Sequence, residues 1–334
     1  MGAQKNLGIN MKRKKVLICG ANGFIGKNLL ERLYQKDLYD IRGTYFRSKI
    51  DENYDIDWCH ADLRNSQDVK RALKGIDIVF QYAATTSGIK DVVEKPHMHV
   101  ADNAIMNSIL FRDAVDLGVE HFIFPSCSIM YQSSNDLIKE DQIGENSTIN
   151  SKYYGSGNTK LYLEKMCKFY SSFNKTRFTI MRQSNIYGPY DKFDLDRGHV
   201  FAATIVKVMK ENREVIVWGT GEEERDLLHV SDLLNFIETC IEKQKSYFEL
   251  VNVGVGGSIS IKDLVIKIVN ASEKDLEIQY DQTKPTVKTR LALDISRAKN
   301  LFGWAPEVSL DDGIKKTISW YNKNRSDKNG IQAH

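Results

Sequence analysis

An α/β fold, a doubly wound parallel sheet followed by a smaller, mainly helical C-terminal lobe, is what this sequence predicts, and three features predict it. The run Val16-Leu17-Ile18-Cys19 is wholly apolar and too short for a helix, which suits a strand buried on both faces. Strand-like runs then alternate with helix-length amphipathic stretches up to residue 124, at intervals of about 25 to 35 residues, as parallel strands with crossover helices require. From about residue 190 helical periodicity dominates (199–218, 231–243, 261–272 and 294–303), with short strands such as Val215-Ile216-Val217-Trp218 and Leu250-Val251-Asn252-Val253 between. The expected division is 11–188 for the sheet domain and 189–325 for the lobe, with strand exchange back to the first domain, leaving 326–334 as a frayed tail.

Taken in order, the first strand runs into Gly20, Gly23 and Gly26, and 27–35 continue with helical spacing (Leu29, Leu30, Leu33, Tyr34). Glycine is needed there for space. A dinucleotide pyrophosphate must come close to the backbone and meet the N–H groups of the first helical turn, where the helix dipole favours an anion. The turn Gly20-Ala21-Asn22-Gly23-Phe24-Ile25-Gly26, with Asn22, Phe24 and Ile25 as its remaining contacts, is therefore a candidate dinucleotide cradle in a Rossmann-type sheet. The second strand, 40–46, ends without an acid before Asp51; Arg47 and Lys49 stand there instead, which favours NADP over NAD through a 2′-phosphate. The third strand, 58–61, ends in Asp62 and Leu63, with Asp62 placed to accept from an adenine amino group. A helix at 66–74 follows, and a strand at 76–84 runs into Ala83 and Ala84, a second wall for the coenzyme. The helix 103–117 begins at Asn103, and 121–124 form the next strand.

Composition narrows the function class. A net charge of +3 over 334 residues, with no basic cluster interleaved with aromatics, argues against nucleic acid. No apolar run approaches the roughly 18 to 20 residues that span a bilayer, so no membrane partner is expected. The 5 cysteines are scattered and odd in number, reading as free thiols in a reducing, cytoplasmic setting. His97 and His99 lack companions at ligand spacing, so no metal is expected. Met11 sits where such a chain would naturally start, which makes 1–10 an extension.

Further motifs extend the pattern: Asn185-Ile186-Tyr187-Gly188-Pro189, Trp218-Gly219-x-Gly221, Arg225-Asp226-Leu227-Leu228-His229-Val230-x-Asp232 and Asn252-Val253-Gly254. Together with the glycine turn, Asp62, Ala83-Ala84 and Asn103, they resemble the extended short-chain dehydrogenase/reductases that act on nucleotide sugars, over about residues 14 to 323. Within that family the GDP-L-fucose synthase branch is most similar, on Gly188-Pro189-Tyr190-Asp191-Lys192-Phe193, His199-Val200, Val217-Trp218-Gly219 and Thr283-Lys284-Pro285. The resemblance implies NADP(H), a nucleotide-diphosphate sugar held by the C-terminal lobe, and a homodimer through helices 97–117 and 157–172. Asn185, His199, Val200, Trp218, Arg225 and Arg290 are the implied substrate contacts. The two arginines suit a diphosphate, with pairing to Glu222, Glu223 or Glu224 as the alternative.

The family's chemistry needs a tyrosine acid four residues before a lysine. Lys160 takes the lysine's place, but Ser156 stands four residues earlier and Tyr154 six. Two accounts remain open: Gly155 and Gly157 let the chain loop so that Tyr154 reaches the site, or the tyrosine acid is absent. The family serine corresponds to Cys127, flanked by Ser126 and Ser128, any of which would hold the sugar oxygen. The cysteine that some members use falls at Ile129, while His199 matches its histidine partner. The reading is a keto-sugar reductase or epimerase, a GDP-linked 4-keto-6-deoxy sugar being favoured. The alternatives are a 4-epimerase with tightly bound NAD, or a catalytically impaired sugar-nucleotide-binding protein.

Overall fold

Val16, Leu17, Ile18 and Cys19 are wholly buried because strand β1 (Lys14–Cys19) has a parallel neighbour on each edge and helices on each face. Val16 and Ile18 face the core beneath the Phe24–Lys36 and Val230–Lys243 helices. Leu17 and Cys19 face the core beneath the Ser66–Leu73, Ala101–Asp116 and Tyr154–Ser171 helices. The computed structural model describes residues 13–85, 95–143, 147–195, 198–284 and 289–326; the expected extension at 1–10, Pro285 and the tail beyond 326 lie outside these described residues.

The sheet continues through β2 (Tyr39–Tyr45), β3 (Asp57–His60), β4 (Ile78–Gln81), β5 (His121–Cys127) and β6 (Arg177–Gln183). Then come the short strands β7 (Asn185–Tyr187), β8 (Glu214–Trp218), β9 (Glu224–Arg225) and β10 (Leu227–His229), and β11 (Phe248–Val253) closes the seven-stranded sheet in the order β11-β6-β5-β4-β1-β2-β3. Its pairings are all parallel. The chain winds outward from β1 in one direction and from β4 in the other, so the strand order reverses between β1 and β4. Ligands bind outside the carboxyl ends of strands at such a switch point.

β11, read from the sequence as a short strand among the lobe's helices with strand exchange back to the first domain expected, is an edge strand of the main sheet, paired with β6 from Phe248↔Phe178 to Val253↔Gln183. Its Val251 and Val253 are buried against the same layer as Met181. The helix Leu310–Ser326 was not anticipated, although Ile314, Ile318 and Tyr321 pack against Tyr187 and Phe201 with helical spacing.

The stretch around Arg225 is held by two buried carboxylates. Asp226 Oδ1 accepts from the Val255 N–H at 2.9 Å and Oδ2 from the Leu293 N–H at 3.1 Å. Asp232 accepts from the Glu307 and Val308 N–H groups at 3.1 and 3.0 Å. β7 also pairs with β10, in the register Asn185↔Leu227. Burial pushes Asp226 up to about 6, against its backbone donors. These acids orient backbone, and through it Arg225.

Candidate active site at the strand ends

The glycine turn is built by close approach. Gly20 has φ 72°, and a Cβ there would lie 2.9 Å from the Ala83 backbone, so β1 and β4 converge only if this residue is glycine. A Cβ on Gly26 would lie 2.2 Å from the Gly20 carbonyl oxygen. Gly23 caps the Phe24–Lys36 helix with no side-chain hydrogen bond, and the first turn holds no acid, so its N–H groups and dipole are left for an anion. A pyrophosphate fits this cradle. Asn22 Nδ2 donates to Ser48 Oγ at 3.1 Å and to the Lys49 carbonyl at 2.7 Å, tying the segment after β2 to the turn. Asn103, 8% exposed, accepts from the Thr85 N–H at 3.0 Å and donates to the Thr85 carbonyl at 2.9 Å. It fixes the wall that Ala83 and Ala84 open, rather than standing in the cleft.

On the adenosine side the charges are already engaged. Arg64 donates to both Asp62 oxygens, at 2.9 and 2.7 Å, and reaches Asp102 at 3.1 Å. Asp62 is held below the usual carboxylate range by Arg64. The carboxylate expected to meet adenine is thus braced by Arg64, beside buried Leu63. Asp51, the first acid after β2, is ion-paired with Lys27. The guanidinium carbons of Arg47 and Arg64 lie 5.6 and 5.7 Å from the Phe46 ring centroid.

On the other side of the switch point, Lys160 Nζ donates to the Pro125 carbonyl at 2.7 Å and lies 4.6 Å from the Phe124 ring centroid. Burial lowers its pKa, opposed by Cys127 and Glu164. Cys127 ends β5, its thiol pushed up by burial and pulled back by Lys160. The end of β5 at Cys127 separates the candidates, since Ser126 lies within the strand and Ser128 beyond it. Ser126 faces away: it is 2% exposed and donates to Glu164 Oε1 at 2.5 Å, so it does not hold a sugar oxygen. Ser128 instead lines a cavity of about 270 Å³ with Ile129, Gln132, Tyr153, Asn185 and Arg225.

Gly155 and Gly157 do not open a loop. The helix is continuous from Tyr154, and the glycines serve close packing instead, since a Cβ on Gly155 or Gly157 would press within 2.8 or 2.9 Å of Val100 or Ile149. Tyr154 is 67% exposed at the helix start. Its neighbour Tyr153, in the 3-10 turn Ser151–Tyr153, faces the cavity, its phenol raised by burial and opposed by Arg225. Sequence reasoning missed Tyr153. The signal available was its position seven residues, two helical turns, before Lys160.

In the lobe, Asn185 Nδ2 donates to the Asp226 carbonyl at 3.2 Å and Arg225 Nη1 to Thr289 Oγ1 at 2.8 Å, both on the cavity wall. Arg225 also borders a second cavity of about 380 Å³. Arg290 is ion-paired with Glu224 at 2.9 Å, the surface pairing that its acidic neighbours allowed. His199 and Val200 open the Val200–Lys210 helix, and Trp218 stacks with Lys207 Nζ at 5.2 Å; none of the three is among the residues lining the 270 Å³ cavity.

Residues 16–254 match the NAD dependent epimerase/dehydratase family. The chain is 27% identical to GDP-L-colitose synthase of Yersinia pseudotuberculosis, over 92% of this chain and 97% of that protein. It is 28% identical to GDP-L-fucose synthase of Azorhizobium caulinodans, over 93% and 97%. Among solved structures, UDP-glucose 4-epimerase of Thermotoga maritima with UDP-glucose superimposes with a TM-score of 0.82 at 25% identity, covering 93% of this chain and 99% of that one. With a glycine cradle at the switch point and a lysine-bearing helix across from it, the chain belongs to the NAD dependent epimerase/dehydratase family and is an NAD(P)-dependent enzyme.

Proposed function

We propose that this enzyme reduces or epimerises a nucleotide-diphosphate sugar at a keto carbon, with NADP(H) as coenzyme and a GDP-linked 4-keto-6-deoxy sugar favoured. The observation that carries the reading is the 270 Å³ cavity at the sheet's carboxyl ends, which brings Ser128, Tyr153, Asn185 and Arg225 onto one lining. Bound nicotinamide supplies or takes a hydride. Lys160 would hold its ribose, Ser128 and Cys127 would bind the sugar oxygen, and Asn185 would orient the ring. Arg225, with its fork of donors, suits the diphosphate, and Arg290 would have to leave Glu224 to add a second guanidinium. His199 would serve as a second acid only if the Val200–Lys210 helix start moves toward the cavity.

The 2′-phosphate preference rests on Arg47, half of the guanidinium pair flanking Phe46, and on Asp51 being taken by Lys27. Relatives named for GDP-sugars and relatives named for UDP-sugars both occur, and GDP-L-colitose synthase and GDP-L-fucose synthase support the GDP reading. The adjacent Ala101–Asp116 and Tyr154–Ser171 helices leave Ile105, Tyr162 and Phe169 exposed, which suits a homodimer through those helices.

Incubation in deuterated water with a panel of GDP-, UDP-, CDP- and dTDP-keto sugars, followed by mass spectrometry, tests this. Reduction with NADPH at least about tenfold more efficient than with NADH is expected, fastest on a GDP-sugar. Deuterium entering beside the ketone marks epimerisation, and reduction without it marks a plain reductase. Failure to convert any panel member contradicts the proposal. Sedimentation of the same preparation at monomer mass would remove the dimer.

A further inference from the structure

We propose that the phenol of Tyr153 exchanges the proton with the sugar oxygen, reaching the cavity from a turn ahead of the lysine-bearing helix because position 156 is serine. This rests on the nucleotide-sugar reading above.

The geometry is one of helical phase. Residues 153, 156 and 160 follow at intervals of three and four, so they line one side of the helix and the turn that leads into it. Ser156 Oγ donates back to the Tyr153 carbonyl at 3.3 Å, keeping the small side chain against the backbone. The room that a large side chain at 156 would occupy is therefore left to a neighbour on the same side. Tyr153 is that neighbour, and it lines the cavity with Ser128, Asn185 and Arg225. Tyr154, about 100° further round the axis, is exposed.

Two charged or ionisable groups of the site act on the Tyr153 phenol, Arg225 and Cys127, and Cys127 in turn interacts with Lys160. The phenol thus shares the cavity lining with the guanidinium suited to the diphosphate and feels the thiol at the end of β5. Burial keeps it protonated, the form that donates. In the reducing direction the phenolic O–H breaks and an O–H forms on the sugar oxygen, as the sugar carbon takes the hydride supplied by reduced nicotinamide. The tyrosinate recovers its proton from water. Oxidation of the sugar runs the same transfers backward.

The test uses the full-length protein, the panel sugar nucleotide it converts fastest, and the variants Y153F, Y154F and Y153F/S156Y. Y153F should lower kcat by about 10²–10⁴-fold, the range of general acid–base catalysis, with KM within about threefold. Y154F should stay within about twofold, and Y153F/S156Y, which returns a phenol four residues before Lys160, should recover at least about tenfold over Y153F. A second readout needs no turnover: nitration by tetranitromethane, mapped by mass spectrometry on the coenzyme-loaded protein. The same sugar nucleotide should shield Tyr153 and leave Tyr154 reactive. Y153F retaining most of the activity, or Tyr154 being the residue shielded, overturns the assignment while leaving the nucleotide-sugar reading intact. An unaltered protein that converts no panel member overturns that reading, and the assignment with it.

Discussion

Arg182→Met should lower the free energy of unfolding by about 3–5 kcal/mol, the cost of leaving a buried charge without its partner. Arg182 and Glu164 side chains are 4% and 5% exposed, and the guanidinium donates to both carboxylate oxygens, at 3.0 Å from Nε and 2.7 Å from Nη2. Its Nη1 also donates to Tyr131 Oη at 2.9 Å and to the Glu140 carbonyl at 2.8 Å. Tyr131 donates in turn to Asn252 Oδ1 at 2.7 Å, so the network joins β5, β6, β11 and the Lys160 helix. Removing Arg182 leaves Glu164 with the Ser126 hydroxyl alone. The double variant E164M/R182M should lose less than R182M, because two matched apolar groups replace a matched ion pair. Urea unfolding of both variants near neutral pH makes the comparison. A single-variant loss below about 1 kcal/mol, or a double-variant loss equal to the sum of the singles, contradicts it.

Gly26→Ala should weaken NAD(P)(H) binding by at least about tenfold and destabilise the protein by about 1–3 kcal/mol, as overpacking of a rigid contact does. The new methyl would meet the Gly20 carbonyl oxygen at 2.2 Å, and its other near neighbours, Gly20 C and Ala21 Cα, are also backbone. No flexible side chain is there to give way. The helix start must move off β1, and with it the N–H groups that face the pyrophosphate. By contrast, Gly75→Ala, where nothing lies within 4 Å of the added carbon, separates contact from conformation: φ is 71° there, so it loses stability without losing coenzyme affinity. Calorimetric titration with NADPH distinguishes them, and a G26A protein that binds as tightly as the parent would contradict the cradle.

The parts of this molecule legible in the sequence are those set by sterics along the chain. The glycine turn is readable because close backbone approach admits no Cβ, and the 16–19 run of β1 because burial on both faces leaves no polar position there. Arg225, read as a diphosphate contact, lies on the cavity wall. What stayed hidden depends on phase and partner. One residue of helical rotation separates Tyr153 from Tyr154, and the glycines between them and Lys160 answer to Val100 and Ile149, neighbours that only the folded chain supplies. Whether Ser126 or Ser128 faces the cavity turns on where β5 ends, because alternation alone would put both on one face. Asp62 and Arg290 read as ligand contacts, yet each has an intramolecular counter-ion, Arg64 and Glu224. The last helix was in principle readable from Ile314, Ile318 and Tyr321, whose spacing fits one buried face.

The central claim is that a sugar carbon held in the cavity lined by Ser128, Tyr153 and Arg225 exchanges hydride with the nicotinamide. NADPH deuterated at the transferring position, given with the keto-sugar panel and followed by mass spectrometry of the sugar nucleotide, measures it directly. The account predicts deuterium at the former carbonyl carbon of at least one product. A bound keto sugar nucleotide that never acquires the label, while the coenzyme is held at the glycine turn, would contradict it.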